Sequence, residues 1–117
     1  MQPRSLEPTL PALARFGVYR KSLECARLIV ALPVHGDLRD QLRRDAFSVS
    51  LNAAEGAGER GPAAKAKYFA IARASLWEVS AALDLVAIQL GARADVATLA
   101  GLLREIDAML AALMRRL

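Results

Sequence analysis

The chain has 117 residues, of which 55% are hydrophobic and 24% are charged, and its formal net charge is +4. This length predicts a single domain, and a chain rich in alanine and leucine with few aromatic residues favours helices over strands. No uninterrupted apolar run approaches the roughly 20 residues that a membrane span needs. A single cysteine, Cys25, excludes an internal disulfide, and the polar, proline-interrupted N-terminus is unlike a signal peptide. These features predict a cytoplasmic protein without membrane association.

Three prolines in residues 1–11 predict a flexible N-terminal arm, followed by one folded domain over residues 12–117. The first helix is expected over residues 12–32, because apolar residues recur there at alternating spacings of three and four. Its core-facing seam is predicted to consist of Phe16, Tyr19, Leu23, Ala26 and Val30. Pro33 ends this helix, and Asp37 is the expected N-cap of the second.

The second helix is expected to end at Gly56 and Gly58. Its apolar stripe consists of Leu38, Leu42, Ala46, Val49 and Ala53. The fourth helix is expected to be capped by Asp95. Its seam consists of Leu99, Leu103, Ile106, Leu110, Leu113 and Leu117.

The third helix has the clearest apolar pattern and is expected to run from Gly61-Pro62 to Gly91. Its core seam consists of Phe69, Ala72, Leu76, Val79, Leu83, Val86 and Leu90. A second apolar face outside that seam consists of Tyr68, Ile71, Trp77, Leu85 and Ile88. Two apolar faces on one helix indicate a second packing partner, which favours oligomerisation.

No strand pattern appears in the sequence. Four helices joined by short turns therefore predict an all-α fold, an antiparallel up-down-up-down four-helix bundle.

Residues 56–61 match the pattern G-x-G-x-x-G, but a dinucleotide-binding fingerprint requires a preceding strand, and here a helix precedes it. The glycines are better explained as a helix–helix turn. The N-terminus of the third helix, with Arg60, Lys65 and Lys67 beside it, is a candidate site for a backbone phosphate.

The sequence offers no constellation for catalysis or for metal binding. The glutamates at positions 24, 55, 59, 78 and 105 lack the His three residues later that di-iron bundles use. The one histidine, His35, lies in a turn and has no companion motif for a nucleophilic triad. We therefore expect no catalytic residues, no metal and no cofactor.

A small cluster of interacting polar side chains is expected on the second and third helices. Asn52 and Glu55 share a helix face at i,i+3, and Glu78 lies on the longest helix. An arginine such as Arg44 or Arg73 could pair with either glutamate. A buried hydrogen-bonded network that fixes the helix register is the favoured interpretation, and a binding or catalytic role is the alternative.

All the net charge lies within residues 1–44, which favours an acidic partner. The candidate nucleic-acid-binding residues are Arg39, Arg43, Arg44, Arg60, Lys65, Lys67 and Arg73. No base-reading motif is present, so binding to RNA or DNA would be directed at phosphates and weakly sequence-specific. The alternative is a protein-interaction scaffold whose basic surface meets an acidic partner protein.

Several segments match a known pattern in order and spacing. They are Gln41-Leu42-Arg43-Arg44, Ser48-Val49-Ser50, Asn52-Ala53-Ala54-Glu55-Gly56 and Ile71-Ala72-Arg73-Ala74-Ser75-Leu76-Trp77-Glu78. Together they resemble the four-helix bundle proteins encoded in 23S rRNA intervening sequences, over roughly residues 13–115. Asp45 and Ala74 depart from that pattern, which usually has Ala and Gly there, and Arg60 comes one residue later than is common.

The resemblance implies a homopentamer with a central channel and no enzymatic activity. The family is similar to the accessory variability determinant of diversity-generating retroelements, a basic pentameric bundle that binds a reverse transcriptase and nucleic acid. The expected partners are therefore further copies of the chain, RNA or DNA, and a reverse transcriptase or another protein.

Overall fold

The computed structural model describes residues 7–117, which form five α-helices and no strand. The helices are α1 (Pro11–Ala14), α2 (Gly17–Val30), α3 (Gly36–Gly58), α4 (Pro62–Leu90) and α5 (Ala94–Arg115). The all-helical prediction is confirmed. Most of the predicted arm, residues 1–6, lies outside the described residues, and its last residue, Pro11, already belongs to α1. No helix in the described part of the chain has the length and apolarity to cross a membrane.

The predicted first helix is interrupted at Arg15 and Phe16. Phe16 has an extended backbone (φ −92°, ψ 105°) and precedes the first residue of α2. Its ring packs against the ring of Phe69, with 6.1 Å between the centroids. The break lets the aromatic side chain at the start of α2 reach α4, so tertiary packing overrides the local helical pattern.

The predicted seam of the first helix was wrong in part, because Ala26 is buried and Phe16 packs against the core, but Tyr19, Leu23 and Val30 are not buried. The buried residues of α2 are Val18, Ser22, Cys25, Ala26 and Ile29. Val30 is 41% exposed, and Tyr19 and Leu23 are only half-buried. The helix carries two apolar stripes, and the one that contains a serine faces the core because Ser22 has hydrogen-bond partners there.

The long helices pack in an antiparallel order, α3 against α2 and α4, and α5 against α4 and α2. The helices α3 and α4 run in opposite directions. Ser48 contacts Ser75, and further along α3 Gly56 contacts Phe69, which comes earlier in α4. Each neighbouring pair shares a polar contact: Ser50 to Ser22 (Oγ–Oγ 2.9 Å), Ser48 to Ser75 (Oγ–Oγ 2.7 Å), Arg73 to Asp107 (Nε–Oδ1 2.7 Å) and Lys21 to Glu105 (Nζ–Oε2 2.7 Å).

The predicted apolar stripes of the other helices form most of the core. On α4 the buried set includes Phe69, Ala72, Leu76, Val79, Leu83 and Val86. Two predicted caps are wrong, because α3 and α5 begin before Asp37 and Asp95, after His35 and Arg93. Both aspartates lie instead in the first turn, where the positive end of the helix dipole favours them.

Candidate functional site

A row of polar side chains runs along the contact between α3 and α4. We call this row the polar seam; it consists of Gln41, Arg44, Asp45, Ser48, Asn52, Ser75 and Glu78. The α3 members recur every three or four residues, so they share one helix face. The antiparallel register places Ser75 opposite Ser48 and Glu78 near Asp45.

Hydrogen bonds connect neighbours along the polar seam. The Nε2 of Gln41 donates to Oδ2 of Asp45 at 2.6 Å, and its Oε1 accepts from Nη2 of Arg44 at 2.8 Å. The Nδ2 of Asn52 donates to the carbonyl oxygen of Ser48 at 2.9 Å and lies 3.1 Å from the Ser48 hydroxyl. The glutamine amide thus links an arginine to a carboxylate that do not pair directly.

Asp45 and Glu78 form a carboxyl pair at one end of the polar seam. Asp45 is 6% exposed, whereas Glu78 is exposed. The pKa of Glu78 is raised above its ordinary value, first by a hydrogen bond with Asp45 and then by the negative charge of Asp45 and by desolvation. Arg44 opposes this rise through its positive charge. The negative charge of Asp45 therefore disfavours the ionised form of Glu78.

The structure does not join Asn52, Glu55 and Glu78 in the one network that was expected. Asn52 belongs to the polar seam, but Glu55 is exposed and Glu78 meets Asp45. Arg73 pairs with Asp107 of α5 instead of with a glutamate. Sequence reasoning missed Asp45, although its position four residues after Gln41 is a signal for a side-chain hydrogen bond along a helix.

An exposed apolar stripe lies on α4 beside the polar seam. This outer stripe consists of Ile71, Ala74, Ala81, Leu85 and Ile88, with Glu78 in its middle. Trp77 adjoins it and is 61% exposed, and Ile88 is 81% exposed. The indole Nε1 of Trp77 donates to Oδ1 of Asp107 at 2.9 Å, which holds the ring in place. The predicted second apolar face of this helix is thus an exposed surface, apart from the half-buried Tyr68.

A second apolar surface is a groove of about 450 Å³ between α2 and α3. The α2/α3 groove is lined by Tyr19, Leu23, Ala26, Arg27, Val30, Phe47, Ser50 and Leu51. Leu51 is 69% exposed and Phe47 is 47% exposed. Because α3 separates α2 from α4, the α2/α3 groove and the outer stripe face different sides of the molecule.

Five of the seven predicted nucleic-acid-binding residues have hydrogen-bond or ion-pair partners within the chain. Lys65 donates to the carbonyl oxygens of Gly56 (3.1 Å) and Ala57 (3.2 Å), which satisfies the C-terminus of α3. The other pairs are Arg39 with Asp40 (Nε–Oδ1 3.2 Å), Arg43 with the carbonyl oxygen of Val30 (3.1 Å) and Arg73 with Asp107 (2.7 Å). Arg60 and Lys67 are exposed, and Arg44 is exposed with one bond to Gln41.

The same residues do not share one surface. Arg39 lies in the first turns of α3, whereas Arg60 follows its last turn, a separation of about 28 Å along the helix at 1.5 Å per residue. Lys65 and Lys67 lie on the Arg60 side, at the start of α4. Arg44 and Arg73 lie between the two ends. The seven residues are therefore spread along the length of the molecule, and their role in nucleic-acid binding stays a prediction.

Antiparallel packing instead brings a partly different set of six basic residues together at one end of the molecule. This basic end, where α3 and α5 finish and α2 and α4 begin, contains Arg15, Arg60, Lys65, Lys67, Arg115 and Arg116. Its nearby acidic residues are Glu7, Glu55 and Glu59. At the opposite end, Arg39 and Arg93 are matched by Asp40 and Asp95. Sequence reasoning missed Arg115 and Arg116, because only the topology places the end of α5 beside the α3–α4 turn.

The family model for 23S rRNA-intervening sequence proteins matches residues 15–112 of the chain. This range contains the polar seam, the outer stripe and the α2/α3 groove. A comparison with curated proteins gave no match. Because the family model covers most of the chain, the predicted resemblance is confirmed: the chain belongs to the 23S rRNA-intervening sequence protein family.

Proposed function

We propose that the chain is a non-catalytic cytoplasmic protein that forms a homopentamer of four-helix bundles and binds RNA or DNA through its basic end. The observation that carries this proposal is the separation of charge along the molecule. Basic side chains outnumber acidic ones two to one among the residues named at the basic end. At the opposite end, Asp37, Asp40 and Asp95 outnumber Arg39 and Arg93 at the starts of α3 and α5.

The packing order of the helices supports the bundle. α2, α3, α4 and α5 each contact their neighbours in sequence, and α5 returns to contact α2. This closed order with opposite directions favours an up-down-up-down four-helix bundle. The short α1 covers the basic end, where a groove of about 470 Å³ is lined partly by Arg15, Phe16 and Lys65.

Two exposed apolar surfaces support self-assembly. The outer stripe and the α2/α3 groove are different surfaces that face different sides, so contact between them joins copies head to tail. Head-to-tail contacts generate a ring when the rotation closes. Such assembly removes from water the large apolar side chains that a single copy leaves exposed. The number five rests on the family resemblance.

A ring would repeat the basic end around its axis. The repeated charge produces a far stronger local field than the +4 of one chain. The basic end offers arginine and lysine side chains for phosphate oxygens, and no base-reading element accompanies them. Binding to the nucleic-acid backbone with weak sequence preference follows from this composition.

The test is fluorescence anisotropy of labelled short RNA and duplex DNA titrated with the wild-type protein at about 50 and about 200 mM salt. Each phosphate contact steepens the loss of affinity with salt. We expect binding at the lower salt that weakens at least tenfold at the higher salt. Absence of binding at both salt concentrations would contradict the nucleic-acid proposal.

The internal partners of Arg39, Arg43, Lys65 and Arg73 favour a second candidate function. With these four cations engaged, the chain could serve as a protein-interaction scaffold, or as an accessory subunit of an enzyme such as a reverse transcriptase, without touching nucleic acid. A negative anisotropy result together with an intact oligomer would favour this candidate.

A further inference from the structure

Each of the two exposed apolar surfaces carries one charged side chain. In the outer stripe it is Glu78, which has Ile71 seven residues before it and Leu85 seven residues after it. Residues seven apart lie on nearly the same line along a helix, so a partner that covers Ile71 and Leu85 also covers Glu78. Among the described residues that line the α2/α3 groove, Arg27 alone is charged. The two surfaces are therefore alike in apolarity and opposite in charge.

Neither charge is neutralised by a direct ion pair within its own chain. Arg27 and Glu78 are both exposed, and within residues 7–117 neither has an oppositely charged group within 4.0 Å. Glu24 lies one turn before Arg27 on α2 without forming such a pair with it. Both side chains are thus able to pair with a group from outside the chain.

The surroundings of Glu78 favour a further cation. Asp45 of α3 acts on it as a second carboxylate, and Arg44 of α3 opposes that repulsion. The Nη2 of Arg44, however, donates to the Oε1 of Gln41 at 2.8 Å. A guanidinium that reached Glu78 from outside would therefore meet two carboxylates and one arginine that is already engaged.

We propose that neighbouring copies associate by placing the outer stripe of one in the α2/α3 groove of the next, with Glu78 of the first copy paired to Arg27 of the second. This inference rests on the self-assembly in the proposed function and names the contact that orders it. The occupant of the groove is a second copy, because that copy supplies both an apolar helix face and one carboxylate for Arg27.

The apolar lengths beside the two charges match. At 1.5 Å per residue, Leu85 lies about 10 Å from Glu78 along α4, and Tyr19 lies about 12 Å from Arg27 along α2. From α3, Leu51 lines the groove and is 69% exposed. One apolar arm of the outer stripe therefore fits along the groove when the two charges meet.

The ion pair also selects the way in which the copies associate. Covering a charge with apolar surface is costly unless the charge acquires a partner. Contact of two outer stripes through their centres would bring two copies of Glu78 together, and contact of two grooves would do the same for Arg27. Contact of a stripe with a groove pairs opposite charges instead, and this contact is heterologous, as a ring requires.

The experiment is sedimentation equilibrium of the full chain near neutral pH at constant ionic strength. The test variants are Glu78→Lys, Arg27→Glu and the double variant that carries both changes. Asp84→Lys and Arg104→Glu are the matched controls, because both residues are exposed, the changes in charge are the same, and both line the groove between α4 and α5. Leu85→Glu tests whether the outer stripe is a contact surface. Circular dichroism checks that each variant folds.

We expect Glu78→Lys and Arg27→Glu each to lower the association constant at least about tenfold, because each places two like charges in the covered contact. The double variant restores an opposite pair with the charges exchanged, so its association constant should lie within about threefold of that of the wild type. Both controls should associate like the wild type, and Leu85→Glu should dissociate.

The possible failures are distinguishable. A double variant that associates no better than the weaker single variant, or controls that weaken association as much as the test variants, would overturn the pair of Glu78 with Arg27. A Leu85→Glu variant that assembles normally would overturn contact through the outer stripe and leave self-assembly through another surface. A wild type that is monomeric at every concentration would overturn both this contact and the assembly in the proposed function.

Discussion

The ring of Phe69 packs directly on the backbone of Gly56, where α4 contacts α3. A Cβ atom at position 56 would lie 2.5 Å from the Phe69 ring. This contact places the end of α3 beside the start of α4. The alignment of the two helices determines which side chains meet in the polar seam and which basic residues share the basic end.

Gly56→Ala should therefore destabilise the protein. Overpacking costs about 1 to 3 kcal/mol, and the better helix propensity of alanine returns up to about 1 kcal/mol. We expect a net loss of about 1 to 2 kcal/mol, measured as a lower midpoint of urea unfolding. Gly58→Ala is the matched control, because nothing lies within 4 Å of a Cβ at that position. Equal stability of the two variants would contradict the close approach.

Replacing the buried Ser22 of α2 and the buried Ser50 of α3 should lower the stability of the protein by unequal amounts. Ser50 donates to the Oγ of Ser22 at 2.9 Å, and Ser22 donates to the carbonyl oxygen of Tyr19 at 2.6 Å. Ser22→Ala leaves the Ser50 hydroxyl without an acceptor, at a cost of about 1 to 3 kcal/mol, whereas Ser50→Ala leaves Ser22 with its own acceptor and costs less.

Urea unfolding of both single variants and of the double variant tests this order. The double variant should be close to Ser22→Ala or slightly more stable, because it removes the unsatisfied hydroxyl. Purely additive losses would show that the two hydroxyls act independently.

Asp107 should contribute stability that depends on pH. The Arg73 guanidinium, and to a smaller extent the Trp77 indole, lower the pKa of Asp107 below its ordinary value of 3.8, and desolvation opposes them. A lowered folded-state pKa contributes stability that is present above pH 3.8 and is lost as the pH falls through the folded-state value.

The wild type should therefore be more stable than Asp107→Asn at pH 7, and the difference should shrink below pH 3.8. Thermal unfolding of both proteins from pH 7 to pH 2 measures the difference. The exposed Glu55→Gln variant controls for general charge effects. A difference that is independent of pH would contradict a stabilising ionised Asp107.

Cys25 should be unreactive in the folded protein. Its thiol is buried among core residues of α2, and this burial raises its pKa to about 12. The reactive thiolate is therefore scarce, and reagent access requires opening of the fold. We expect DTNB labelling at pH 8 to be slow in buffer and complete within seconds in denaturant. Rapid labelling in buffer would contradict the position of α2.

The sequence patterns predicted α3, α4 and α5 well, because each has one continuous apolar stripe of sufficient length. They failed in part on α2, where the stripe that faces the core contains Ser22 and Cys25 and is less apolar in sequence than the predicted stripe through the half-buried Leu23 and the exposed Val30. The break at Phe16 was also missed; the ring of Phe16 packs there against the ring of Phe69.

The candidate site was less predictable than the fold. The contacts of Arg73 with Asp107, and of Arg43 and Lys65 with helix carbonyl groups, depend on geometry across elements, which residue types do not encode. The basic end exists only because antiparallel packing joins the end of α5 to the α3–α4 turn. The hydrogen bond of Asp45, in contrast, could be predicted locally, because Gln41 lies four residues before it on the same helix.

The most direct test of the central claim compares two matched double variants in the anisotropy titration. Arg60→Ala with Lys67→Ala removes two cations from the basic end, and Arg39→Ala with Arg104→Ala removes two cations from elsewhere on the surface. All four residues lie on the surface, and both variants have the same net charge. We predict that the first variant loses at least about tenfold in affinity at low salt and has a shallower salt dependence, while the second binds nearly like the wild type. Equal losses in the two variants would contradict binding at the basic end.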